Sequence, residues 1–189
     1  MIKETINEAK VMENKILNIG CENDTRGTHF IDKFPKKRHV PQVIQCDMDI
    51  DKIPFDGKYF DEVIFENCIE HLTNIGHAMQ EIYRVLKTGG QLHLVTDNAL
   101  YWYFSVKDTH LSDNYFKYLL HNSDNHYCLF TEYHLKALAK KFGFITYTTQ
   151  YIEKWFKPLP QYVEKKNLEL KDTKFWRSRY ELIGLEATK

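Results

Sequence analysis

Several polar positions in the first half of the chain follow short apolar runs, at points where the strands of a sheet would end. Gly20, Asp32 and Asp47 each come directly after such a run. A glycine at a strand end lets the backbone approach a ligand closely, and an acid there can accept hydrogen bonds from two ribose hydroxyls. Asp47 could accept one from an adenine amino group. The order indicates an adenosine-type ligand, although turn glycines and helix-capping acids would give the same pattern.

A parallel sheet would bring these positions to one edge. The apolar runs predict four strands, at residues 15–20, 28–32, 42–46 and 61–65. Polar groups follow each run, a pattern that is typical of parallel sheets buried on both faces.

After the fourth predicted strand, apolar residues recur at the spacing of a helix. Asn74 is a candidate N-cap, and Gly89 and Gly90 predict the helix end. A second helix is predicted from Thr131 to Phe142. The other predicted elements are strands at 91–96, 144–152 and 178–187 and a short helix at 3–14. This alternation predicts an α/β fold with a doubly wound, mostly parallel sheet and helices on both faces, where ligands bind beyond the carboxyl ends of the strands.

The length of 189 residues predicts a single domain over residues 1–189. Residues 98–130 are aromatic and polar without clean periodicity, and we expect a substrate-side lid there. A Lys-rich stretch with two prolines at 153–177 predicts a surface excursion. No apolar run approaches the roughly 18 residues of a membrane span, and residues 1–15 lack the apolar core of a signal peptide. We therefore expect a cytoplasmic protein without a membrane partner.

The chain has 26 basic and 26 acidic residues, but their distribution is uneven. Residues 41–100 contain 4 basic and 10 acidic groups, a balance of −6, and residues 101–189 contain 14 and 10, a balance of +4. A nucleic-acid partner usually requires a stronger basic bias, so we expect none. The acidic middle indicates either a ligand with donors or positive charge, or a solvated acidic surface. The sequence carries no signal of oligomeric state.

The cysteines and the acidic clusters do not form a familiar metal motif. The four cysteines include no CxxC pair, which suits a reducing cytoplasm. Cys68 and His71 have ligand-like spacing, but no second pair completes four ligands. The run Asp47-x-Asp49-x-Asp51 imitates a calcium loop, yet lysines stand where its glycine and its final glutamate belong. We therefore expect no metal.

Four ordered blocks resemble a known enzyme family. They are Ile-Leu-Asn-Ile-Gly-Cys at 16–21, Ile-Pro-Phe-Asp-Gly-Lys-Tyr-Phe-Asp-Glu-Val at 53–63, Ile-Glu-His-Leu at 69–72 and Glu-Ile-Tyr-Arg-Val-Leu-Lys-Thr-Gly-Gly at 81–90. Over residues 15–152 the chain resembles class I S-adenosylmethionine-dependent methyltransferases of type 11. The resemblance implies a seven-stranded methyltransferase-type sheet with an antiparallel last strand, methyltransferase activity, and S-adenosyl-L-methionine as the cofactor.

The resemblance also implies which residues contact the cofactor. It places the methionine part beside Gly20 and Cys21, the ribose on Asp32, the adenine beside Asp47 and Met48, and the methyl-donor end above Glu66 and Asn67.

Two features depart from the family pattern. Glu22 stands where the family has a second glycine, and its carboxylate could repel the cofactor's carboxylate or pair with its ammonium group. Only seven residues separate Gly20 from Thr28, whereas a parallel crossover usually needs a dozen or more. Either the first helix is missing, or residues 24–38 form it. In the second case, the strand at 42–46 is the second strand and Asp47 binds the ribose.

His126 is our candidate for a catalytic base, since a histidine beside the lid could take a proton from a substrate oxygen or nitrogen. We expect His71 to be a scaffold residue at the start of a helix. The expected substrate is a small-molecule or sugar-like methyl acceptor. Two alternatives stay open. One is an RNA or protein methyltransferase that uses the basic residues 154–179, and the other is a non-catalytic methyltransferase-like binding module, which Glu22 favours.

Overall fold

The computed structural model describes residues 14–35, 40, 42–99, 126–152 and 182–189. Nearly all of the helix predicted at 3–14, all of the surface excursion predicted at 153–177 and most of the lid predicted at 98–130 lie outside these residues. No helix among the described residues is long and apolar enough to cross a membrane.

Seven strands form one mixed sheet in the order β3-β2-β1-β4-β5-β7-β6. Strands β1 to β5 pair in parallel, and β7 runs antiparallel to both β5 and β6. The predicted sheet, with its antiparallel last strand, is therefore confirmed. The strand bounds are β1 Ile16–Ile19, β2 His29–Asp32, β3 Ile44–Gln45, β4 Phe60–Glu66, β5 Leu86–Asp97, β6 Thr146–Ile152 and β7 Leu182–Thr188.

No helix connects β1 to β2, so the first of the two open alternatives is correct and the helix considered at 24–38 is wrong. β1 has four residues and is about 13 Å long, which the irregular segment 20–28 can span. Thr28 fixes the return, because its backbone N–H donates to the Ile16 carbonyl at 2.9 Å and its Oγ1 accepts from the Ile16 N–H at 2.9 Å. β2 therefore follows β1 directly, and Asp32 ends the second strand.

Two α-helices are described, α1 at Ile75–Val85 and α2 at Glu132–Lys141. The Asn74 side chain accepts a hydrogen bond from the His77 N–H and caps α1, as predicted. Thr131 caps α2, and the side chain of His134 accepts a hydrogen bond from the Thr131 N–H. A single turn of 3₁₀ helix at Ile69–His71 precedes α1.

The predicted end of α1 at Gly89 and Gly90 is wrong, because both glycines lie inside β5. A Cβ on Gly90 would stand 3.0 Å from the Lys87 carbonyl oxygen and 3.1 Å from the Asp61 carbonyl oxygen. Gly89 has φ of +80° and donates its N–H to the carbonyl of Lys189. The two glycines thus allow an irregular part of β5 to pack tightly against its neighbours. The helix α1 ends earlier, at Val85.

The core lies between the sheet and the described helices. Alternate residues of the central strands are fully buried, and α1 adds Met79 and Ile82 from its inner face. Burying such a side chain contributes about 1.5–3 kcal/mol. The largest fully buried side chains belong to Phe60, Phe65, Leu17, Ile19, Ile31, Ile53, Ile69, Met79, Ile82, Leu86, Leu92 and Leu94.

A buried ion pair ties α1 to the segment before β4. The Glu81 carboxylate accepts hydrogen bonds from Arg84 at 2.7 Å and from the Ile53 N–H at 2.9 Å. Arg84 in turn donates to the carbonyls of Ile53 and Phe55. The hydrogen bond from Arg84 is the main reason why the pKa of Glu81 lies below its ordinary value, although burial opposes it. These residues belong to two of the family-like sequence blocks, and the structure shows that they stabilise the scaffold.

We predict that Glu81→Gln lowers the free energy of unfolding by about 1–3 kcal/mol at pH 7, because a buried charged hydrogen-bond acceptor is lost. The pKa of Glu81 is lowered by folding, so its contribution is complete above the unfolded value near 4.5 and is lost as the pH falls through the folded value. Urea unfolding at pH 7 and near pH 3 measures both effects. Glu62→Gln, at a half-exposed carboxylate, should cost less than about 1 kcal/mol, and equal losses in the two variants would contradict the prediction.

Candidate functional site

A cleft lies beyond the carboxyl ends of the parallel strands and encloses about 720 Å³, part of it open to solvent. Five of the residues predicted to contact a cofactor line it: Gly20, Asp32, Asp47, Met48 and Asn67. The other lining residues are Ile19, Glu22, Lys33, Phe34, Cys46, Asp49, Cys68, His71 and Leu72.

Gly20 lies where β1 and the segment after β4 approach each other most closely. Its φ is +66°, and a Cβ built on it would stand 2.9 Å from the Sγ of Cys68. Both the backbone conformation and the lack of space therefore require glycine. The Gly20 N–H donates to the carbonyl of Ile31 at 2.9 Å, which fixes this turn beside the end of β2.

Asp32 lies at the end of β2 and is 3% exposed. Its Oδ1 accepts a hydrogen bond from the Phe34 N–H at 2.7 Å, and its carbonyl accepts one from the Cys46 N–H at 3.1 Å. These contacts fix the carboxylate on the wall of the cleft. The ring of Phe34 is 47% exposed and adds an apolar face to the same wall.

Asp47 also lies on the cleft, but its oxygens already have partners within the protein. Oδ2 is 2.8 Å from the Nζ of Lys33, and Oδ1 accepts from the Asp49 N–H at 3.1 Å. Burial opposes ionisation of Asp47, but these two hydrogen bonds outweigh it and lower the pKa. Asp49 accepts from the N–H groups of Thr73 and Asn74, so the acids that imitate a calcium loop organise this turn.

Cys21 and Glu66 were also predicted to contact the cofactor, and they are not among the residues that line the cleft. Cys21 is buried. The Glu66 carboxylate binds Arg26, whose guanidinium also pairs with Asp24 at 2.6 Å. This pairing positions the segment 20–28 against the end of β4. Contact of these two residues with a cofactor stays a prediction.

Glu22 lines the cleft, and its side chain is exposed. Its φ is +44°, in the left-handed region that favours glycine. The backbone at Glu22 therefore has a conformation that suits glycine, the residue that the family pattern has at this position.

A second group of polar side chains lies next to the cleft, where β4 and β5 end. It comprises Glu70, His71, Thr96, Asp97 and His126, which we call the Glu70 cluster. Thr96 Oγ1 donates to Glu70 Oε2 at 2.9 Å, and Nδ1 of His126 lies 2.6 Å from Oδ2 of Asp97. The rings of His71 and His126 meet edge to face, with centroids 4.4 Å apart. His71 is part of both the cluster and the lining of the cleft.

Glu70 is 1% exposed, and burial raises its pKa to about 7. The negative charge of Asp97 raises the pKa further, whereas the hydrogen bonds to the carboxylate and the charge of His126 oppose the shift. The Glu70 carbonyl accepts from the N–H of Tyr127 at 2.7 Å, which joins the segment that begins at His126 to the 3₁₀ turn. This backbone contact brings His126 beside His71.

Sequence reasoning named His126 but missed Glu70, Thr96 and Asp97 as its neighbours. Glu70 and His71 were visible as the Glu-His pair of a family block, and Asp97 as an acid after a predicted strand. No sequence pattern paired either position with His126. Lys33 and Phe34, which directly follow Asp32, were also missed as lining residues of the cleft.

Residues 20–94 match the family model described as "Methyltransferase domain". The matched segment runs from the end of β1 into β5 and contains all the predicted cofactor residues. The strand order 3-2-1-4-5-7-6, with an antiparallel β7, extends this likeness to the whole described sheet. Residues 20–94 therefore have the sequence pattern of a methyltransferase domain, and the described sheet has the methyltransferase α/β fold.

A sequence relative aligns with part of the methyltransferase domain. An 81-residue segment is 28% identical to the ubiquinone/menaquinone biosynthesis C-methyltransferase UbiE of Vibrio campbellii. The alignment covers 43% of this chain and 27% of that protein, so it spans about a quarter of the relative's length.

Solved structures share the fold of the methyltransferase domain along nearly the whole chain. A SAM-dependent methyltransferase of Thermotoga maritima, described as a possible histamine N-methyltransferase, has a TM-score of 0.63 at 17% identity, covering 94% of this chain and 83% of that chain. Phosphoethanolamine N-methyltransferase 2 of Haemonchus contortus, in complex with S-adenosyl-L-methionine, has a TM-score of 0.60 at 17% identity. The match covers 93% of this chain and 48% of that chain. Identities this low show a shared fold.

We predict that Asp32→Ala weakens the binding of S-adenosylhomocysteine by about 1.5–3 kcal/mol, since an acceptor of two ribose hydroxyls is lost. Asp47→Ala should cost less, because its carboxylate is already bonded to Lys33 and Asp49. Isothermal titration calorimetry measures both. Asp61→Asn is the matched control, as this carboxylate binds Lys15 and Lys87 near the start of β4, away from the cleft. A larger loss for Asp47→Ala than for Asp32→Ala would assign the ribose to Asp47.

We predict that Glu22→Gly changes the affinity for S-adenosylhomocysteine by less than tenfold, about 1.4 kcal/mol, because the exposed side chain can turn to solvent. The variant should also unfold at a slightly higher temperature, since glycine suits the left-handed backbone. Calorimetry and thermal melting measure the two effects. If the variant gained cofactor binding that the natural chain lacks, Glu22 would be shown to block the site.

Proposed function

We propose that this domain transfers the methyl group of S-adenosyl-L-methionine to a small molecule or sugar-like metabolite. The observation that carries the proposal is the cleft at the carboxyl ends of the parallel strands, where Gly20, Asp32, Asp47 and Asn67 follow β1 to β4 in order. In open α/β sheets this edge is the usual ligand site.

The residues of the cleft suit each part of the cofactor. Asp32 would accept hydrogen bonds from the ribose hydroxyls, and the ring of Phe34 and the thioether side chain of Met48 would cover the adenine. The turn at Gly20 leaves space for the methionine part, and Asn67 would lie at the methyl-donor end. Asn67 has φ of +48°, and its N–H donates to the carbonyl of Val95.

The charge of the cleft supports a cationic ligand. Four carboxylates line it, from Glu22, Asp32, Asp47 and Asp49, against the single ammonium group of Lys33 among the described lining residues. The cofactor carries a sulfonium and an ammonium group, so this field attracts it. The imbalance agrees with the acidic middle of the sequence.

We place the acceptor over the Glu70 cluster, because His71 joins this cluster to the end of the cleft. The acceptor's lone pair would attack the methyl carbon, the carbon–sulfur bond would break, and its electron pair would stay on sulfur as S-adenosylhomocysteine is formed. Alignment of the two reactants supplies much of the rate in such a transfer. His126, predicted as the proton acceptor, is a member of the same cluster.

The names of similar proteins support a small acceptor, because they refer to ubiquinone or menaquinone biosynthesis, histamine and phosphoethanolamine. The basic stretch 154–179, on which the RNA or protein alternative depends, lies outside the described residues.

We predict that S-adenosylhomocysteine at about 100 times its dissociation constant adds roughly 2.7 kcal/mol to the free energy of unfolding. Differential scanning fluorimetry and calorimetry measure this effect, with Asp32→Ala as the impaired variant and Asp61→Asn as the control. If millimolar ligand gave no thermal shift and no heat of binding, the result would contradict the proposed cofactor and favour the non-catalytic module.

Methyl-labelled S-adenosyl-L-methionine then tests the acceptor class. The protein is incubated with the low-mass fraction of a cell extract and, separately, with its RNA and protein fractions. We expect label in the low-mass fraction alone, and less of it with Asp32→Ala. Label in RNA or protein would support the macromolecular alternative.

A further inference from the structure

We infer that Glu70, His71 and His126 bind a divalent transition-metal ion such as Zn²⁺ beside the cofactor cleft. One ligand atom from each residue lies within 4.8 Å of the others. Two ligands of one cation, at bonds of about 2.0–2.2 Å, are at most about 4.4 Å apart. Small side-chain adjustments would therefore let all three ligate one ion.

The residues around these ligands are those that a metal site requires. Asp97 lies 2.6 Å from Nδ1 of His126, and a carboxylate on one ring nitrogen orients a histidine to ligate through the other. Thr96 donates to one oxygen of Glu70 and fixes that carboxylate. Glu70, Thr96 and Asp97 are all buried, so the arrangement is set by packing rather than by mobile surface side chains.

Charge favours an ion at this place. Two buried carboxylates, Glu70 and Asp97, face two imidazoles that are neutral when they ligate a metal. A divalent ion would balance the two negative charges, which are otherwise costly to bury close together.

Three protein ligands leave at least one coordination position open, as in catalytic metal sites. His71 lines the cleft, so the open position would be next to the bound cofactor. Two imidazoles and one carboxylate suit Zn²⁺, Co²⁺ or Mn²⁺ better than Mg²⁺ or Ca²⁺, which prefer oxygen ligands. This inference departs from the expectation of no metal, which considered Cys68 and His71 without Glu70 or His126.

The role of the ion in catalysis rests on the proposed function, although its binding does not. An acceptor hydroxyl in the open position would lose its proton to water more readily, because the ion stabilises the resulting oxyanion. The oxygen's electron pair would then form the bond to the methyl carbon as the carbon–sulfur bond breaks. In this scheme His126 binds the ion and does not take the proton itself.

Cobalt binding to the chelator-stripped full chain tests the site, because Co²⁺ gives visible absorption bands that report its ligands. We expect saturable binding of one Co²⁺ that Zn²⁺ displaces and millimolar Mg²⁺ does not, without the intense near-ultraviolet band of a cobalt–thiolate bond. His71→Ala and His126→Ala should each lower the affinity more than tenfold, and Asp97→Asn by about 10–100-fold.

His93→Gln is the matched control, since His93 also lies between two carboxylates, those of Glu62 and Glu186, but outside the cluster. It should bind Co²⁺ as the natural chain does. Melting temperature and far-ultraviolet circular dichroism verify that each variant is folded, and the half-exposed His71 gives a variant with little risk to folding. No saturable binding, a thiolate band, or equal affinity in all variants would overturn the inference. Cobalt binding without S-adenosylhomocysteine binding would retain the metal site and contradict the proposed function alone.

Discussion

Parallel hydrogen bonding pairs Ile19 with both Ile31 and Phe65, so the carboxyl ends of β1, β2 and β4 lie level. Gly20, Asp32 and Asn67, which lie just beyond these three positions, therefore line one cleft. The constraint is tightest at Gly20, where a Cβ would collide with the sulfur of Cys68. The cleft, its charge and its proposed cofactor all depend on this level edge.

The contacts of the acidic residues distinguish those that stabilise the scaffold from those that are available to bind a ligand. Glu81 is bonded to Arg84 and Ile53 and connects a helix to a loop, and Asp49 connects its turn to the start of α1. Asp47 lies on the cleft but shares its oxygens with Lys33 and a backbone N–H. Asp32 is the acidic wall residue that ends β2, which suits a role in ligand binding.

Two neighbouring sites can divide the proposed reaction between them. The cleft over β1 to β4 would hold the methyl donor, and the Glu70 cluster at the ends of β4 and β5 would hold the acceptor. His71 belongs to both, because the 3₁₀ turn at Ile69–His71 lies between the cleft and the segment that begins at His126. The proposal gives the 3₁₀ turn a functional position, whereas the sequence indicated a scaffold role for His71.

The sequence by itself determined the sheet, its strand-end residues and the caps of both helices, because these depend on local periodicity and short-range hydrogen bonds. It could not decide whether a helix follows β1, since this depends on how far the chain must return along a four-residue strand. It placed the end of α1 wrongly, because glycine signals a helix end and a tight strand contact alike. Only the tertiary structure joined Glu70, His71 and Asp97 to His126, since contacts between residues this far apart in sequence follow from packing and leave no periodic pattern.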